Sequence, residues 1–215
     1  MLTVITNRPK ELGWLDEKLN VISFGEFLDS REKADLIYFD GGEDVSPSLY
    51  GDKELPVTYS NYKRDLEEAK VYALAKTLDI PCLGVCRGSQ FLTALQPGGK
   101  IVQDVTGHSL YELHKIKLLN EGKDIEVTST HHQMMYPFDT KHELIAVSSR
   151  RLSLHYHFGN NKDLSKIYEF GEPEIVYYPD TKCLGIQGHP EYLRDINHEF
   201  PAYSRKIVQE KLLGR

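Results

Sequence analysis

Cys86 stands between Gly84 and Gly88, where a strand-like sequence pattern gives way to a helical one. Residues 80–85 form a short apolar run typical of a buried strand, and the apolar side chains of residues 91–95 recur on one helical face. Small residues on both sides let a strand and a helix pack around a strained turn, which is the arrangement of a nucleophile elbow. The unpaired N–H groups and the dipole of a helix N-terminus favour a thiolate over a thiol. Most cysteines are buried as small hydrophobic residues, but this context predicts a nucleophile at Cys86.

A cysteine nucleophile needs a base, and the base needs an acceptor that orients it. His189 and Glu191 lie in a His-Pro-Glu tripeptide at the end of a predicted strand late in the chain. His189 would take the thiol proton, and Glu191 would hold the imidazole tautomer. The tripeptide alone is weak evidence, since surface matches arise by chance. Together with the elbow it indicates a catalytic triad.

The bulk composition limits the classes of function. The 215 residues carry a net charge of -6 with a pI near 5.9, and no cluster of Lys and Arg stands out, so we expect no nucleic-acid partner. No apolar stretch approaches the roughly 20 residues that span a bilayer, and the first apolar run is too short for an export signal. Three cysteines do not make a disulfide framework. We therefore expect a cytoplasmic protein with no membrane association.

Short apolar and β-branched runs alternate with helical patterns through the first half of the chain. Besides the elbow, strands are predicted at residues 2–6, 21–24 and 35–39, and helices at residues 25–33 and 64–78. This order predicts an α/β protein with a parallel sheet covered on both faces. A β ribbon is expected near 101–105, 114–119 and 125–128, followed by strands at 144–148, 174–178 and 183–187 and a helix over 201–213. The length suits a single domain of residues 1–215.

Several motifs in a fixed order resemble one known family. Residues 84–90 (GVCRGSQ) and 187–191 (QGHPE) are similar to class I glutamine amidotransferases, and residues 41–51 (GGEDVSPSLYG) to the γ-glutamyl-γ-aminobutyrate hydrolase branch, peptidase C26. Three further motifs are similar to the same branch: Arg64-Asp65 with Glu68, Gly98-Gly99 with Gln103-Asp104, and residues 129–133 (STHHQ). The resemblance covers about residues 38–192. It implies a flavodoxin-like three-layer α/β fold with a central, mostly parallel sheet and a small β-ribbon excursion.

The resemblance implies a role for each residue of the reacting centre. Cys86 would be the nucleophile, His189 the general base and acid, and Glu191 the residue that orients the imidazole. The backbone N–H groups of Gly42 and Arg87 would form the oxyanion hole, a role that requires no side chain.

The resemblance also implies where the substrate binds. Gln90, one helical turn beyond the nucleophile, would help to seat the glutamyl group. Ser129, Thr130 and His131 would reach the α-amino and α-carboxylate end of that group.

These roles imply a cysteine-dependent hydrolase that cleaves the γ-glutamyl amide bond of glutamine or of a γ-glutamyl amine through a thioester. The small-molecule products would be glutamate and ammonia or an amine, and no cofactor is implied. Two versions stay open: a free-standing hydrolase, and a glutaminase that delivers ammonia to a separate synthetase or amidoligase partner. A non-catalytic binding module is the alternative from another class, although a module would not need all three of Cys86, His189 and Glu191. The leaving amine stays open.

The other histidines and cysteines receive structural interpretations. Nine histidines are present, but none has the compact spacing of a zinc site, so we expect no metal. His155 and His157 are two residues apart in a predicted strand, so their imidazoles lie on the same face. This placement suggests the rim of a pocket or a solvent-exposed strand face. Cys82 and Cys183 are expected in the core.

Two further positions near the motifs have local consequences. Arg64 and Asp65 belong to a family motif, and they are equally well interpreted as a structural ion pair that shapes the preceding loop. Gly188 stands where the family often has a bulky aromatic residue. This departure predicts open room beside His189.

Overall fold

The computed structural model describes residues 1–109, 113–160, 163–193 and 195–215. The strands formed among these residues are β1 (Leu2–Ile5), β2 (Leu19–Ile22), β3 (Leu36–Phe39), β4 (Cys82–Val85), β5 (Lys100–Val102), β6 (Asp104–Val105), β7 (His114–Leu118), β8 (Lys123–Val127), β9 (Met134–Tyr136), β10 (Glu143–Ser148), β11 (Tyr156–His157), β12 (Pro173–Tyr178) and β13 (Cys183–Ile186). The α-helices are α1 (Phe24–Ser30), α2 (Tyr62–Thr77), α3 (Arg87–Ala94), α4 (Ser165–Phe170) and α5 (Glu199–Val208). The chain is therefore a mixed α/β protein.

One nine-stranded sheet organises the molecule, in the order β2-β1-β3-β4-β13-β12-β10-β7-β8. Its first five strands are parallel, and the strands from β12 onward are antiparallel. The flavodoxin-like α/β class expected from the sequence is confirmed. The expected ribbon is divided: β7 and β8 extend the main sheet, while β5 pairs with β9 and β6 pairs with β11 in two small ribbons.

Apolar side chains cover both faces of the sheet, as the unbroken apolar runs of the parallel strands predict. On one face α5 packs with Phe200 and Ile207 against strand residues that include Val85. On the other face α1, α2 and α3 bury side chains such as Phe27, Val71 and Phe91. Cys82 and Cys183 are fully buried on this second face, as expected for core residues. The result is three layers.

Most predicted elements are present, and the boundaries that move have local causes. The strand expected at 21–24 ends at Ile22, because Ser23 caps α1 in a reciprocal capping box with Glu26. The structure adds a 3-10 segment, Pro9–Leu15, that the sequence pattern did not show. In the described part of the chain, no helix is long and apolar enough to cross a bilayer.

The parallel half of the sheet determines where the site forms. Strands β3, β4 and β13 are neighbours, and they run in the same direction. Their carboxyl ends therefore open at one edge of the sheet, which is where α/β proteins bind ligands. The segments that follow them are residues 40–44, residues 86–90 and residues 187–191.

Candidate active site

Cys86 sits on a strained turn between β4 and α3. Its backbone has a φ of 51° and a ψ of -110°, a conformation that is rare for a residue with a side chain. A Cβ at Gly84 would clash with the carbonyl of Gly88, and a Cβ at Gly88 would clash with the carbonyl of Phe39. Glycine at both positions therefore lets β3, β4 and α3 approach closely. The elbow predicted from the sequence is formed.

His189 follows β13 and faces Cys86 across the end of the sheet. Its Nδ1 lies 2.6 Å from Oε1 of Glu191, and its ring lies beside the side chain of Cys86. Burial lowers the pKa of His189, but the hydrogen bonds and charges of Cys86 and Glu191 outweigh this effect and raise the pKa to about 10. The structure therefore brings the three predicted residues together, with an imidazolium at neutral pH.

Two neighbours that the sequence did not identify hold His189. The hydroxyl of Thr128, at the end of β8, accepts from the backbone N–H of His189 at 2.6 Å and donates to its carbonyl at 3.0 Å. The ring of Tyr192 is stacked on the imidazole. No local motif marks Thr128, which lies 61 residues before the histidine it holds. Tyr192 directly follows the His-Pro-Glu tripeptide, so its place in the sequence could have suggested that it contacts His189.

Gly41 and Gly42 follow β3 and line the other side of the site. A Cβ at Gly41 would lie 2.9 Å from Cε1 of His189 and 3.8 Å from Cβ of Cys86, so any side chain there would press on these two residues. Gly42 has a φ of 137°, which side chains strongly disfavour. Arg87 begins α3, and the first N–H groups of a helix have no partner within it. The backbone of Gly41 and the first turn of α3 therefore both lie next to Cys86.

The guanidinium of Arg64 holds the loop of Gly41 and Gly42 in place. It donates to the carbonyl of Gly41 at 3.0 Å and forms ion pairs with Asp40 at 3.2 Å, Glu43 at 3.0 Å and Glu68 at 2.8 Å. Part of this guanidinium occupies the space that a Cβ at Gly42 would need. Arg64 therefore shapes the loop, as one interpretation of the sequence held.

Asp65 has a different partner from the one considered in the sequence. Its carboxylate pairs with the buried guanidinium of Arg87 and accepts from the backbone N–H of Ser46 at 2.9 Å. Arg87 also pairs with Glu68, whose other oxygen holds Arg64. The expected pair of Arg64 with Asp65 is replaced by two pairs that share one network, because Arg87 points into α2.

The expected substrate residues differ in how they are engaged. The amide of Gln90 is buried and donates to the carbonyl of Gln133 at 2.8 Å. Ser129 is buried and donates to the carbonyl of His108 at 2.5 Å. Thr130 is half-buried and hydrogen-bonded with Tyr192, beside the imidazole of the site.

His131 points into the interior. Its Nδ1 lies 2.8 Å from the carbonyl of Gln133, and its ring lies 4.6 Å, centroid to centroid, from that of His108. Burial and the neighbouring His108 lower its pKa to about 3, so the imidazole is neutral. The side chains of Glu172 and Glu174 complete this buried group around His108.

The room expected beside Gly188 is not there. A Cβ at this position would lie 2.8 Å from the carbonyl oxygen of Thr128 and 2.9 Å from Cζ of Phe200. The ring of Phe200, from α5, fills the volume that an aromatic residue at Gly188 would take. The expectation of open space beside His189 is therefore wrong.

Comparisons with known proteins agree with this geometry. A sequence model of the peptidase C26 family matches residues 28–191. The protein NtpR of Enterococcus hirae is 27% identical over 188 residues, which cover 83% of this chain and 76% of that protein. A protein of Rickettsia prowazekii assigned as glutamine amidotransferase-like is 30% identical over 223 residues, which cover 85% of this chain and 79% of that protein.

Solved structures share the fold at low sequence identity. A protein of Thermoplasma acidophilum assigned as one of the subunits of a GMP synthase superimposes with a TM-score of 0.61 at 16% identity, over 99% of this chain and 92% of that chain. A glutamine amidotransferase of Thermotoga maritima superimposes with a TM-score of 0.54 at 15% identity, over 98% and 84%. These likenesses concern the three-layer architecture.

Proposed function

The chain belongs to the peptidase C26 family and has the fold of glutamine amidotransferases, and on this basis we propose that it hydrolyses a γ-glutamyl amide bond through a thioester on Cys86. One observation carries the proposal. Cys86 stands on a strained strand-to-helix turn, and beside it lies the imidazole of His189, whose Nδ1 is 2.6 Å from Glu191. A nucleophile, a base and an orienting acceptor in this order are the requirements of acyl transfer by a thiol.

In the first half of the reaction, the sulfur of Cys86 attacks the δ-carbonyl carbon of the substrate. The C–S bond forms while the carbonyl electrons move to oxygen, and the N–H groups of Gly42 and Arg87 stabilise that oxyanion. His189 holds the proton that belonged to the thiol and gives it to the departing nitrogen. The C–N bond then breaks, which leaves a glutamyl thioester and a free amine or ammonia.

In the second half, water replaces the amine beside His189. The imidazole accepts a proton from this water as its oxygen attacks the thioester carbonyl, and the same backbone N–H groups hold the new oxyanion. The C–S bond breaks, the sulfur of Cys86 leaves, and glutamate is released. His189 is again protonated beside the sulfur, as at the start. The scheme uses side chains, backbone N–H groups and water, so it calls for no cofactor.

The glutamyl group would bind beside α3 and the 129–131 segment. Gln90 lies one helical turn beyond Cys86, and its amide is fixed by the carbonyl of Gln133. Thr130 is the half-buried member of the segment and lies beside Tyr192, so its hydroxyl and the backbone around it are the groups we assign to the α-amino and α-carboxylate end. Ser129 and His131 would support that backbone from the interior.

A second version of the chemistry is supported by one relative. A glutamine-hydrolysing GMP synthase of Halothermothrix orenii is 27% identical over 119 residues, which cover 55% of this chain and 20% of that enzyme. In this version the chain would cleave glutamine as a cytoplasmic glutaminase and pass ammonia to a synthetase or amidoligase partner.

The test is a panel of γ-glutamyl amides, with glutamine among them, assayed for glutamate release by the purified protein. We expect turnover of at least one member of the panel, and we expect Cys86→Ala to abolish it without loss of folding, because the change removes one small side chain. Cys183→Ala is the matched control, since it removes a thiol from the core and leaves the elbow intact.

The outcomes separate the versions. Turnover of γ-glutamyl amines without a partner supports the free-standing hydrolase. Cleavage of glutamine that appears only when a synthetase is added supports the glutaminase. Activity that survives in Cys86→Ala overturns the thioester mechanism, and a folded protein that shows no turnover and no alkylation of Cys86 supports a binding module.

A further inference from the structure

Two imidazoles and one carboxylate that the proposed mechanism does not use converge on the small β6–β11 ribbon. Nε2 of His155 lies 2.8 Å from Oδ2 of Asp104, and Nδ1 of His157 lies 3.2 Å from the same oxygen. The two rings are stacked, with centroids 4.2 Å apart and an angle of 10° between their planes. The three potential ligand atoms therefore all lie within 4.8 Å of one another.

The backbone around this cluster holds the three side chains in place. His157 is paired with Asp104 in the antiparallel register of the ribbon, and the next ladder position pairs Tyr156 with Val105. The carbonyl of His155 accepts from the hydroxyl of Ser153 at 2.5 Å.

The loop that leads to His155 is also tied to the strand that carries Asp104. The hydroxyl of Ser153 accepts from the backbone N–H of Thr106 at 2.8 Å, and the hydroxyl of Thr106 accepts from the N–H of Leu154 at 2.8 Å. Both hydrogen bonds cross from one side of the ribbon to the other. The arrangement is thus built by the fold and does not depend on the two imidazoles alone.

We propose that Asp104, His155 and His157 form a binding site for a divalent first-row transition metal, with Zn²⁺ as the representative ion. A tetrahedral ion with bonds of about 2.0–2.1 Å separates its ligand atoms by about 3.3 Å. The two nitrogen-to-oxygen distances of 2.8 and 3.2 Å are close to this separation, and a rotation of the stacked imidazoles would bring the ion into the plane of both rings. Two imidazoles with one carboxylate are a donor set that suits zinc, iron, nickel and copper and leaves positions open.

The cluster of Asp104, His155 and His157 is accessible to solvent and lies beside a cavity. The side chains of Asp104, His155 and His157 are 22%, 36% and 57% exposed, so an ion can enter from solvent. Asp104 and His157 also border a cavity of about 490 Å³, whose apolar wall includes Leu55 and Phe158. The free coordination position would hold water or an anionic group of a molecule in that cavity.

The other His and Glu cluster in the described residues has a different character. His108, His114 and Glu174 also bring three ligand atoms together, but they are largely enclosed. Oε1 of Glu174 already accepts from Ser148 at 2.7 Å and lies 2.7 Å from Nε2 of His114. Nδ1 of His114 and Oε2 of Glu174 make no hydrogen bond, but they are shut in the interior, whereas the cluster of Asp104, His155 and His157 is open to an ion from solvent.

The experiment is a calorimetric titration of Zn²⁺ into the full chain at pH 8, where imidazoles are ordinarily neutral. The parent protein carries Cys86→Ala, so that no thiolate of the proposed catalytic pair competes for the ion. We expect one equivalent to bind, and we expect His155→Ala, His157→Gln and Asp104→Asn each to weaken the affinity by at least about tenfold. His142→Ala is the matched control, because it removes a partly buried imidazole elsewhere, and it should bind as the parent does.

Circular dichroism of each variant checks whether folding is retained, and Asp104→Asn keeps the shape of the side chain if an alanine variant does not fold. Anomalous diffraction from Zn²⁺-soaked crystals should then place the ion between Asp104 and the two imidazoles. The proposal is overturned if the parent binds no Zn²⁺, if the three cluster variants bind as tightly as the parent, or if the ion lies at His108 and Glu174. None of these readouts uses catalytic activity, so the result is independent of the proposed function.

Discussion

The phenol ring of Tyr192 lies parallel to the imidazole of His189, with ring centroids 4.2 Å apart and an angle of 1° between the planes. Tyr192 is 56% exposed and His189 only 5% exposed, so the phenol covers one face of the imidazole against solvent. Glu191 holds the edge of the same ring through its 2.6 Å contact with Nδ1. Two residues within three positions of the histidine therefore fix the plane and the rotation of its side chain.

Replacing Tyr192 tests whether this stacking positions the base. Aromatic pairs contribute about 0.5–1.5 kcal/mol beyond the area they bury, so Tyr192→Ala should slow the reaction of Cys86 about two- to tenfold. Tyr192→Phe keeps the ring and should stay within about twofold of the wild type. A diazoketone analogue of glutamine should alkylate Cys86, and the rate of this alkylation is measured by mass spectrometry.

A matched exposed tyrosine gives the control for that comparison. Tyr168 is 57% exposed and lies in α4, where its replacement by Ala should leave the alkylation rate unchanged. Equal rates for Tyr192→Ala and the wild type would show that the stacked ring does not position His189. A loss in Tyr192→Phe as large as in Tyr192→Ala would instead assign the effect to the hydroxyl, which lies near Thr130.

The raised pKa of His189 predicts a specific dependence on pH. The pKa of about 10 in the folded protein exceeds that of an unfolded histidine, near 6.5. The imidazolium therefore stabilises the folded state fully below about pH 6.5, and this contribution is lost as the pH rises through about 10. Each unit of pKa difference corresponds to about 1.4 kcal/mol. Urea denaturation of the wild type should show this decline, and His189→Gln should not.

The same group can be titrated directly by NMR of the imidazole Cε1–H. Glu191→Gln removes one of the charges that hold the proton, so the pKa of His189 should fall by at least about one unit. His198→Gln, at the cap of α5, is the control for the assignment and should leave the titration of His189 unchanged. A midpoint near 6.5 in the wild type would refute the raised pKa.

The residues of the proposed triad could be singled out in the sequence because each has a local signature. Cys86 follows β4 and His189 follows β13, and neighbouring parallel strands end at one edge of the sheet. The sequence and the family resemblance therefore predicted the residues, and the strand order of the structure shows how they come together. The support for His189 was not predictable in the same way, since Thr128 reaches it from the end of β8, 61 residues away.

The antiparallel half of the sheet shows a second limit. The alternating pattern of residues 114–118 identifies a strand, and burial alternates there as expected. Periodicity does not reveal the partner, however, and β7 pairs with β10, which is separated from it by β8 and β9. The network around Arg87 was missed for a similar reason. The sequence assigned a role to the backbone N–H of Arg87 and none to its side chain, which turns to Asp65 and Glu68 in α2.

Glu68 links the loop of Gly41 to the helix that follows Cys86. One carboxylate oxygen lies 2.8 Å from Nε of Arg64, and the other pairs with the buried guanidinium of Arg87. Arg64 in turn donates to the carbonyl of Gly41 at 3.0 Å. Glu68 is thus the shared anion between the two sides of the site.

Glu68→Gln removes this charge and leaves a buried guanidinium with less compensation. Breaking a buried ion pair by changing one partner costs about 3–5 kcal/mol, so the free energy of unfolding in urea should fall by that order. Because Arg64 loses one of its three ion pairs, alkylation of Cys86 should also slow in the fraction that stays folded. Glu67→Gln, the exposed neighbour in α2, is the matched control and should change stability by less than about 0.5 kcal/mol. Equal stability of the two variants would show that Arg87 and Arg64 are held by their other partners, and the role assigned to Glu68 would be wrong.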